Sequence, residues 1–375
     1  MGLMPRGLVV FLIVALAILF GFQYFIYFST TRLLGINGRG GRRILMAALV
    51  FLLAGVVASV FLQRSVDTAL GRGIAGAFQL SIAFGLNLAM AFLLAWASWG
   101  FARVWNPAPR SALFGWIAIL LAALFSVYGV WNATHPRVER MTVRMNGLPP
   151  EWRGKTIAQI SDLHLGFSGG RSFAERVIRM VNAERPAAVV ITGDLFDGGG
   201  AGLDGLADAL NALNPRMGIY FVTGNHETYL GVARAEEALR RTEVRVLHDD
   251  MATPGGLQIV GIAYPDRGES KDIGAAIRNV RGFDPAKASV LLYHSPVRIP
   301  EIKATGIRLQ LSGHTHRGQL FPFQFITRRV YGKYDHGLNV EGNFTIYTSS
   351  GTGTWGPRMR TSSHAEIAII RLEPI

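Results

Sequence analysis

The chain has 375 residues, a formal net charge of +13 and no cysteine. The lack of cysteine excludes disulfide bonds, thiolate metal ligands and a cysteine nucleophile. The composition changes near residue 136: residues 1–135 contain nine basic residues, all Arg, and one acidic residue, Asp67, whereas residues 136–375 contain 29 basic and 24 acidic residues. We therefore interpret the two parts separately.

Four long segments of the first part contain no Asp, Glu, Lys or Arg. A helix needs about 20 apolar residues to cross the hydrocarbon core of a bilayer, and each segment is long enough. We therefore predict that residues 1–135 form a four-helix transmembrane region. A cleaved signal peptide is the alternative for the first segment, but its apolar run continues through Phe28. The segments are Gly7–Thr31, Ile44–Gln63, Gly73–Ala102 and Ser111–Pro136.

The excess of Arg lies in short loops between the apolar segments, which favours anionic lipid headgroups rather than nucleic acid as its partner. The flanking arginines do not decide the orientation, because six of them favour each side. Charges that lead into a large domain influence orientation less than charges in short loops. We therefore predict an extracytoplasmic domain after the spans. Asn87 and Gln79 in the third segment either line a polar path or hydrogen-bond neighbouring helices, and the second arrangement is the commoner.

The second part shows the pattern of an α/β domain. Residues 136–153 are predicted to form a linker and an initial strand, in which Met141, Val143 and Met145 alternate with polar residues, and residues 154–375 form the domain itself. Short apolar runs, typical of strands buried on both faces, alternate there with amphipathic helices such as Ser172–Glu184 and Val232–Arg241. The predicted strands are Thr156–Ser161, Ala188–Thr192, Gly218–Thr223, Gln258–Ala263, Ser289–Tyr293 and Arg308–Ser312.

Nearly every predicted strand is followed by residues of the types that bind metal ions. Ligand sites of α/β sheets gather just beyond the carboxyl ends of strands. A single Asp or Asn there usually satisfies a turn, but five of the nine histidines occupy such positions, which argues against chance. In chain order the residues are Asp162 and His164 in SDLHLG, Asp194 in TGDLFDG, Asn225 and His226 in TGNHE, His294 in YHSP, and His314 and His316 in SGHTH.

This ordered set of motifs, D-x-H, G-D, G-N-H-E, H and G-H-x-H, resembles the calcineurin-like metallophosphoesterases, and with the apolar spans it resembles their bacterial membrane-bound branch. The resemblance, which runs from about Gly154 to Ile375, implies two packed β-sheets flanked by helices. It also implies two divalent or mixed-valence transition metal ions, with His226 as the catalytic imidazole. One ion would be bound by Asp162, His164, Asp194 and His316, and the other by Asp194, Asn225, His294 and His314.

The chemistry of this ligand set agrees with the resemblance. Mixed imidazole and carboxylate ligands suit Mn, Fe, Zn or Co, and one carboxylate can bridge two ions about 3.5 to 4 Å apart. Asp194 would be that bridge and belongs with His226 to the catalytic residues. We therefore expect hydrolysis of phosphomonoesters or phosphodiesters at the membrane surface of a bacterial cell, and membrane attachment suggests lipid-linked or envelope phosphoesters as substrates.

Some features near these motifs allow more than one interpretation. Glu227 stands where relatives often have Asp and is expected to orient His226. Arg317 either clamps a substrate phosphate or is a solvated loop residue. The Gly-rich segment Asp197–Gly205 lacks the Lys and Ser/Thr of a P-loop, so we interpret it as a loop beside the site, with Asp197 behind the ligands. The segment Thr348–Gly356 either borders the substrate pocket or is only rich in turns.

A function of another class is also open: a four-span transport or scaffold protein whose soluble domain only binds metal or a partner. The complete ligand set argues against it, because a domain that had lost its chemistry would also have lost ligands. Metal-dependent turnover distinguishes the two. Since every candidate ligand follows Gly154, a fragment that begins near Thr142 is expected to be soluble and active.

Overall fold

The computed structural model describes residues 6–65, 68–166, 169–197 and 202–375. Asp67 and residues 198–201 of the predicted Gly-rich loop lie outside the described residues. The helices are α1 (Arg6–Leu33), α2 (Arg39–Ser65), α3 (Ala69–Ala102), α4 (Ser111–Thr134), α5 (Arg171–Ala183), α6 (Leu203–Ala207), α7 (Asn225–Leu230), α8 (Val232–Leu239), α9 (Ile273–Asn279), α10 (Ile299–Lys303) and α11 (Gln324–Tyr331). The strands are β1 (Arg137–Met145), β2 (Thr156–Ile160), β3 (Leu165–Gly166), β4 (Ala188–Thr192), β5 (Phe196–Asp197), β6 (Ile219–Val222), β7 (Val244–Val246), β8 (Asp250–Ala252), β9 (Gln258–Gly261), β10 (Ser289–Leu292), β11 (Leu309–Ser312), β12 (Gly337–Glu341), β13 (Phe344–Thr348) and β14 (Glu366–Pro374).

Helices α1 to α4, up to Tyr128, form the main part of a first compact unit. Among the described residues, three stretches are long and apolar enough to cross a membrane: Arg39–Val60, Leu70–Ala102 and Ser111–Thr134. They correspond to the second, third and fourth predicted spans. The first predicted span falls in α1, and most of the side chains in the first half of α1 lie outside the described residues, so the count of four stays a prediction.

Two polar side chains of α3 are buried within this first unit. Asn87 Nδ2 donates a hydrogen bond to Ser126 Oγ of α4 at 2.9 Å. Gln79 Nε2 lies 3.5 Å from Ser59 Oγ of α2. Of the two predicted arrangements, hydrogen bonding between helices is therefore the one that the structure shows.

The second compact unit contains Gly129–Ile375 and is built on two six-stranded sheets. The strand order of the first sheet is β1-β14-β2-β4-β6-β7, in which β2, β4, β6 and β7 are parallel and β14 runs antiparallel to β2. The order of the second is β12-β13-β11-β10-β9-β8, with four parallel central strands between two antiparallel edge strands.

Apolar side chains fill three buried layers, one between the sheets and one under the helices on each outer face. Because both faces of the central strands are covered, their sequences are continuous apolar runs. The predicted α/β fold with flanking helices is confirmed. Representative residues are Val177, Ile191 and Phe221 outside the first sheet, Ile157, Val190, Ile259 and Leu292 between the sheets, and Ile277, Leu291 and Ile302 outside the second sheet.

Strand β1 is an integral part of the first sheet, because it pairs in parallel with β14 along its whole length, from Arg137 opposite Glu366 to Met145 opposite Pro374. A soluble fragment that begins near Thr142 would remove the residues from Arg137 to Met141 from this pairing. Whether that fragment is soluble and active stays a prediction, but the compact unit that contains the domain includes all of Gly129–Ile375, together with Leu62–Arg72.

We expect a fragment that begins at Gly129 to melt at a higher temperature than one that begins at Thr142, because the shorter fragment lacks half of the β1–β14 pairing. For a domain of this size, each kcal/mol of lost stability lowers Tm by about 2–4 °C. Scanning calorimetry of both fragments at the same metal loading measures the difference. Equal melting temperatures would show that the first half of β1 adds no stability.

Candidate metal centre

The predicted ligands lie in five loops, each of which follows the carboxyl end of a strand. Three of these strands belong to the first sheet and two to the second. The facing sheets bring the five loops together at one edge of the domain, the usual place for ligand sites in α/β folds. The loops carry Asp162 and His164 after β2, Asp194 after β4, Asn225 and His226 after β6, His294 after β10, and His314 and His316 after β11.

One group of polar atoms converges around Asp162, His164 and His316. His316 Nε2 lies 3.2 Å from Asp162 Oδ1 and 3.2 Å from His164 Nε2. Asp194 Oδ2 lies 4.0 Å from His164 Nε2. All four side chains are buried, so their lone pairs face a small shared space that water reaches poorly.

A second group converges around Asn225, His294 and His314. Asn225 Oδ1 lies 2.8 Å from His314 Nδ1 and 3.2 Å from His294 Nε2. Asp194 Oδ2 lies 3.2 Å from His294 Nε2. The same carboxylate oxygen of Asp194 therefore faces both groups. Its other oxygen accepts a hydrogen bond from the backbone N–H of His226 at 2.8 Å, which fixes the orientation of the carboxylate.

The backbone of the site is unusual, because residues other than glycine adopt positive φ angles that are common only for glycine. Glycine is required next to them where the loops approach closely. A Cβ at Gly224 would overlap Asp194 Oδ1, and a Cβ at Gly313 would overlap Ser161 Oγ and Asp162 Oδ2. The residues with positive φ are Asp162, His164, Asp194, His314 and His316.

The electrostatics of the site leave most of its lone pairs free of protons. Burial lowers the pKa of His164 to about 3, and burial together with the charge of His294 lowers the pKa of His314 to about 4. Burial alone would raise the pKa of Asp162, but its interaction with the His316 ring, which includes a hydrogen bond, holds this pKa well below the usual range. Neutral imidazoles and ionised carboxylates are the ligand forms that metal ions require.

His294 differs from the other imidazoles. Its Nδ1 donates a hydrogen bond to the carbonyl oxygen of Thr192 at 2.7 Å. Burial alone would lower the pKa of His294, but the charge of Asp194 and the hydrogen bond with it raise this pKa to about 10. At neutral pH His294 therefore carries a second proton, on Nε2, and a bound cation would take the place of this proton. The residues present therefore fit metal ions, and their mixed nitrogen and oxygen donors suit transition metals.

Comparison with known proteins agrees with this geometry. Residues 155–318 match the family model for the calcineurin-like phosphoesterases. The chain is 33% identical over 264 residues to an uncharacterized metallophosphoesterase of Campylobacter jejuni, and the match covers 68% of this chain and 69% of that protein. The chain belongs to the calcineurin-like phosphoesterase family. The family resemblance predicted from the motifs is confirmed.

Two further relatives of this calcineurin-like phosphoesterase differ in the share of their length that the match covers. An uncharacterized metallophosphoesterase of Aquifex aeolicus is 33% identical over 262 residues, which cover 68% of this chain and 98% of that protein. A transmembrane protein with metallophosphoesterase domain from Danio rerio is 33% identical over 276 residues, which cover 68% of this chain and 62% of that protein. The family thus includes bacterial members and at least one named as a transmembrane protein.

His226 lines a cavity of about 370 Å³ next to Asp194, His314 and His316. Its Nδ1 lies 3.2 Å from Asp197 Oδ1. Burial alone would lower the pKa of His226, but the hydrogen bond with Asp197 and the charges of Asp194 and Asp197 raise this pKa to about 9. A nitrogen of His226 also lies within 4.8 Å of ligand atoms of His164 and Asp194, so measured metal content must separate a catalytic role from ligation.

The expected role of Glu227 is wrong. Its carboxylate accepts hydrogen bonds from three backbone N–H groups, those of Asp194 at 2.9 Å, Phe196 at 3.0 Å and Gly224 at 2.7 Å. Glu227 therefore joins the loops after β4 and β6, whereas the acidic partner of the His226 ring is Asp197. The Gly-rich loop contributes to the site through that residue.

Replacing Asp197 with Asn is expected to lower kcat about 10- to 100-fold, as the loss of an outer partner of a site histidine typically does. The amide keeps the size of the side chain but removes the charge beside His226. Metal content is measured in parallel, because Asp197 Oδ2 also lies 3.7 Å from Nδ1 of the proposed ligand His164. Asp208→Asn, at an exposed position, is the control. Unchanged kcat in Asp197→Asn would show that the contact with His226 has no part in turnover.

Arg360 is a site residue that the sequence did not reveal. It is fully buried, and its Nη2 lies 3.2 Å from His316 Nδ1. Burial lowers the pKa of Arg360 to about 10, so it stays charged at neutral pH. A guanidinium only donates hydrogen bonds, so His316 Nδ1 accepts and the proton of the neutral ring lies on Nε2, towards Asp162. An ion bound at Nε2 would displace that proton, as metal binding commonly does.

The sequence left two interpretations open for Arg317 and two for the segment Thr348–Gly356, and the positions of these residues distinguish them. Arg317 is exposed and is not among the residues that line the cavity, so it is a solvated loop residue in this structure. The segment Thr348–Gly356 does border the pocket. The N–H of Thr352 donates to the carbonyl oxygen of Ser161 at 2.7 Å, and Trp355 lines the cavity.

Proposed function

We propose that this chain is a phosphoesterase with a dinuclear metal centre that hydrolyses phosphomonoesters or phosphodiesters at a membrane surface. The observation that carries the proposal is that two groups of donor atoms meet at one carboxylate oxygen, Asp194 Oδ2. Such sharing is what a bridged pair of ions requires. The proposed ligands are Asp162, His164, Asp194 and His316 for one ion and Asp194, Asn225, His294 and His314 for the other.

The chemistry that a pair of Mn, Fe, Zn or Co ions supplies when bound is activation of water and neutralisation of phosphoryl charge. The chain's own residues supply the rest. His226 faces the cavity and holds a proton that it can deliver to the leaving oxygen. Asp197 orients the His226 ring through Nδ1. Glu227 fixes the loop after β6 that presents Asn225 and His226.

Activity after metal exchange tests the proposal. Full-length protein in detergent is stripped of metal, reloaded with Mn and assayed on bis(p-nitrophenyl) phosphate and on p-nitrophenyl phosphate. We expect turnover only after reloading, and the ratio of the two rates gives the preference for diesters or monoesters. Absence of turnover at full metal occupancy would instead favour a metal-binding transport or scaffold protein.

We also propose that α1 completes a four-helix membrane region with an extracytoplasmic domain, because charges that lead into a large domain influence orientation less than charges in short loops. An alkaline phosphatase fused after Ile375 should then be active, and a green fluorescent protein fused at the same point should be dark. The opposite pair of results would place the domain in the cytoplasm.

A further inference from the structure

Helix α11 forms part of the wall of the metal centre, although none of its residues is buried. One face is turned to the cavity: Phe323, directly before the helix, and Thr327 and Tyr331 line it at intervals of four residues. The ring of Tyr331 meets the ring of His314 edge-on, with 6.0 Å between the centroids. Contacts made by the outer surface of α11 can therefore alter the shape of the cavity at the metal centre.

Most of the remaining surface of α11 is apolar and exposed. Phe325, Ile326 and Val330 have 62%, 59% and 67% of their surface accessible. Arg328 and Arg329 lie beside them, and the helix contains no acidic residue. Across the part of the chain that the structure describes, neither guanidinium forms a close ion pair, although the charge of Asp335 acts on that of Arg328. Apolar and cationic side chains on one short helix are typical of segments that lie in a membrane interface.

Hydrogen bonds connect the start of α11 to the end of α4, and the residues involved all belong to the second unit. The N–H of Arg360 donates to the carbonyl oxygen of Gly129 in α4 at 2.9 Å. The N–H of Phe321 donates to the hydroxyl of Thr361, the next residue along, at 2.9 Å. Because α4 is apolar and long enough to cross a membrane, these hydrogen bonds connect the residues just before α11 to the segment with which the chain leaves its last predicted span.

We propose that α11 lies in the headgroup layer of the bilayer and that the cavity takes its substrate from that layer, as a phosphoester that is itself a membrane lipid. Phe325, Ile326 and Val330 contact acyl chains, and Arg328 and Arg329 contact anionic headgroups, which attract basic side chains. The lipid phosphate then passes the cavity face of α11 to reach His226. The choice of substrate rests on the proposed phosphoesterase function, whereas the position of α11 does not.

The position of α11 is tested with a single label. The chain has no cysteine, so Val330→Cys provides one labelling site, and Val340→Cys on β12 is a matched control because the two valines are 67% and 66% exposed. Each full-length variant carries a bimane label in nanodiscs of phosphatidylcholine and phosphatidylglycerol. Lipids with a doxyl quencher should quench the label at position 330 and leave the one at 340 bright. No quenching at 330, or shielding that depends on a second copy of the chain, would overturn the proposal.

The substrate class is tested by competition in the same nanodiscs, with soluble bis(p-nitrophenyl) phosphate as reporter. Phosphatidic acid in the disc should inhibit at a bulk concentration about tenfold or more below that of glycerol 3-phosphate, because burial of acyl chains and side chains adds to affinity. Val330→Glu should remove this advantage, measured as the ratio of the two inhibitory concentrations in the same variant, and Val340→Glu should keep it. Equal inhibition by the two phosphates would overturn the lipid assignment. No reporter turnover with metal bound would refute the phosphoesterase proposal instead, and quenching would still locate α11.

Discussion

Replacement of Asp194 with Asn is expected to abolish phosphoester hydrolysis and to lower the metal content of the protein. Oδ2 of Asp194 faces both donor groups, at 4.0 Å from His164 Nε2 and 3.2 Å from His294 Nε2. An amide at this position keeps the hydrogen bond from the His226 N–H but loses the charge that balances two cations. Metal analysis and turnover of bis(p-nitrophenyl) phosphate on the same sample measure both effects.

Asp266→Asn, an exposed carboxylate in another loop, is the control for this experiment and should retain wild-type metal content and turnover. Thermal melting of both variants without metal distinguishes loss of a ligand from loss of the fold. Normal metal content and normal turnover in Asp194→Asn would remove Asp194 from the site and, with it, the argument for a bridged pair of ions.

Replacement of His226 with Ala is expected to reduce kcat by about 10²- to 10⁴-fold, the range that a positioned general acid or base typically contributes. Metal content should stay nearly unchanged, because the ring is held by Asp197 at 3.2 Å and lines the cavity. The loss should appear in kcat more than in KM, since the interaction is made mainly in the transition state.

Substrates with different leaving groups separate the two roles that His226 can have. An ester with a better leaving group should lose less activity in His226→Ala if the imidazole donates a proton, and should lose as much as the others if the imidazole only stabilises charge. His248→Ala, at a histidine whose side chain is 57% exposed, is the control. A drop in metal content in His226→Ala would identify His226 as a ligand, and an unchanged kcat would identify it as a bystander.

The positions of the ligand-bearing loops could be predicted because they depend only on where the buried strands end. Apolar runs such as Ala188–Thr192 form strands that are buried on both faces, and a polar residue directly after such a run must lie at the edge of the sheet. Asp194 and His294 come from different sheets, yet both follow this rule. Their convergence on one point needed no knowledge of which strands are neighbours.

The contacts behind the ligands could not be predicted in the same way. Glu227 is next to His226 in the sequence, but consecutive residues of a helix do not face each other, and both lie in α7. The partner of His226 is instead Asp197 at the end of β5, 29 residues earlier in the chain, and the partner of His316 is Arg360, 44 residues later. Arg360 carries no local signal, because its burial depends on the folded loop after β13.

The short edge elements were also missed, for a related reason. Strands β7 and β8 have three residues each, too few to show an alternating pattern. Helix α11 has an apolar face, but that face is exposed, so its sequence does not follow the rule that apolar residues lie in the core. The role proposed for α11 depends on contact with the membrane, which lies outside the domain.

The place of β14 in the first sheet has a consequence for synthesis. β14 lies between β1 and β2, so these two early strands have no shared hydrogen bonds until a segment from the far end of the domain is inserted between them. Contacts of such large sequence separation form slowly, because a long loop must close first. While the second sheet is still being translated, β1 has no partner strand for its backbone groups. The first sheet therefore closes only after Glu366–Pro374 has been synthesised, and until then the incomplete domain exposes unpaired strand edges, which favour aggregation.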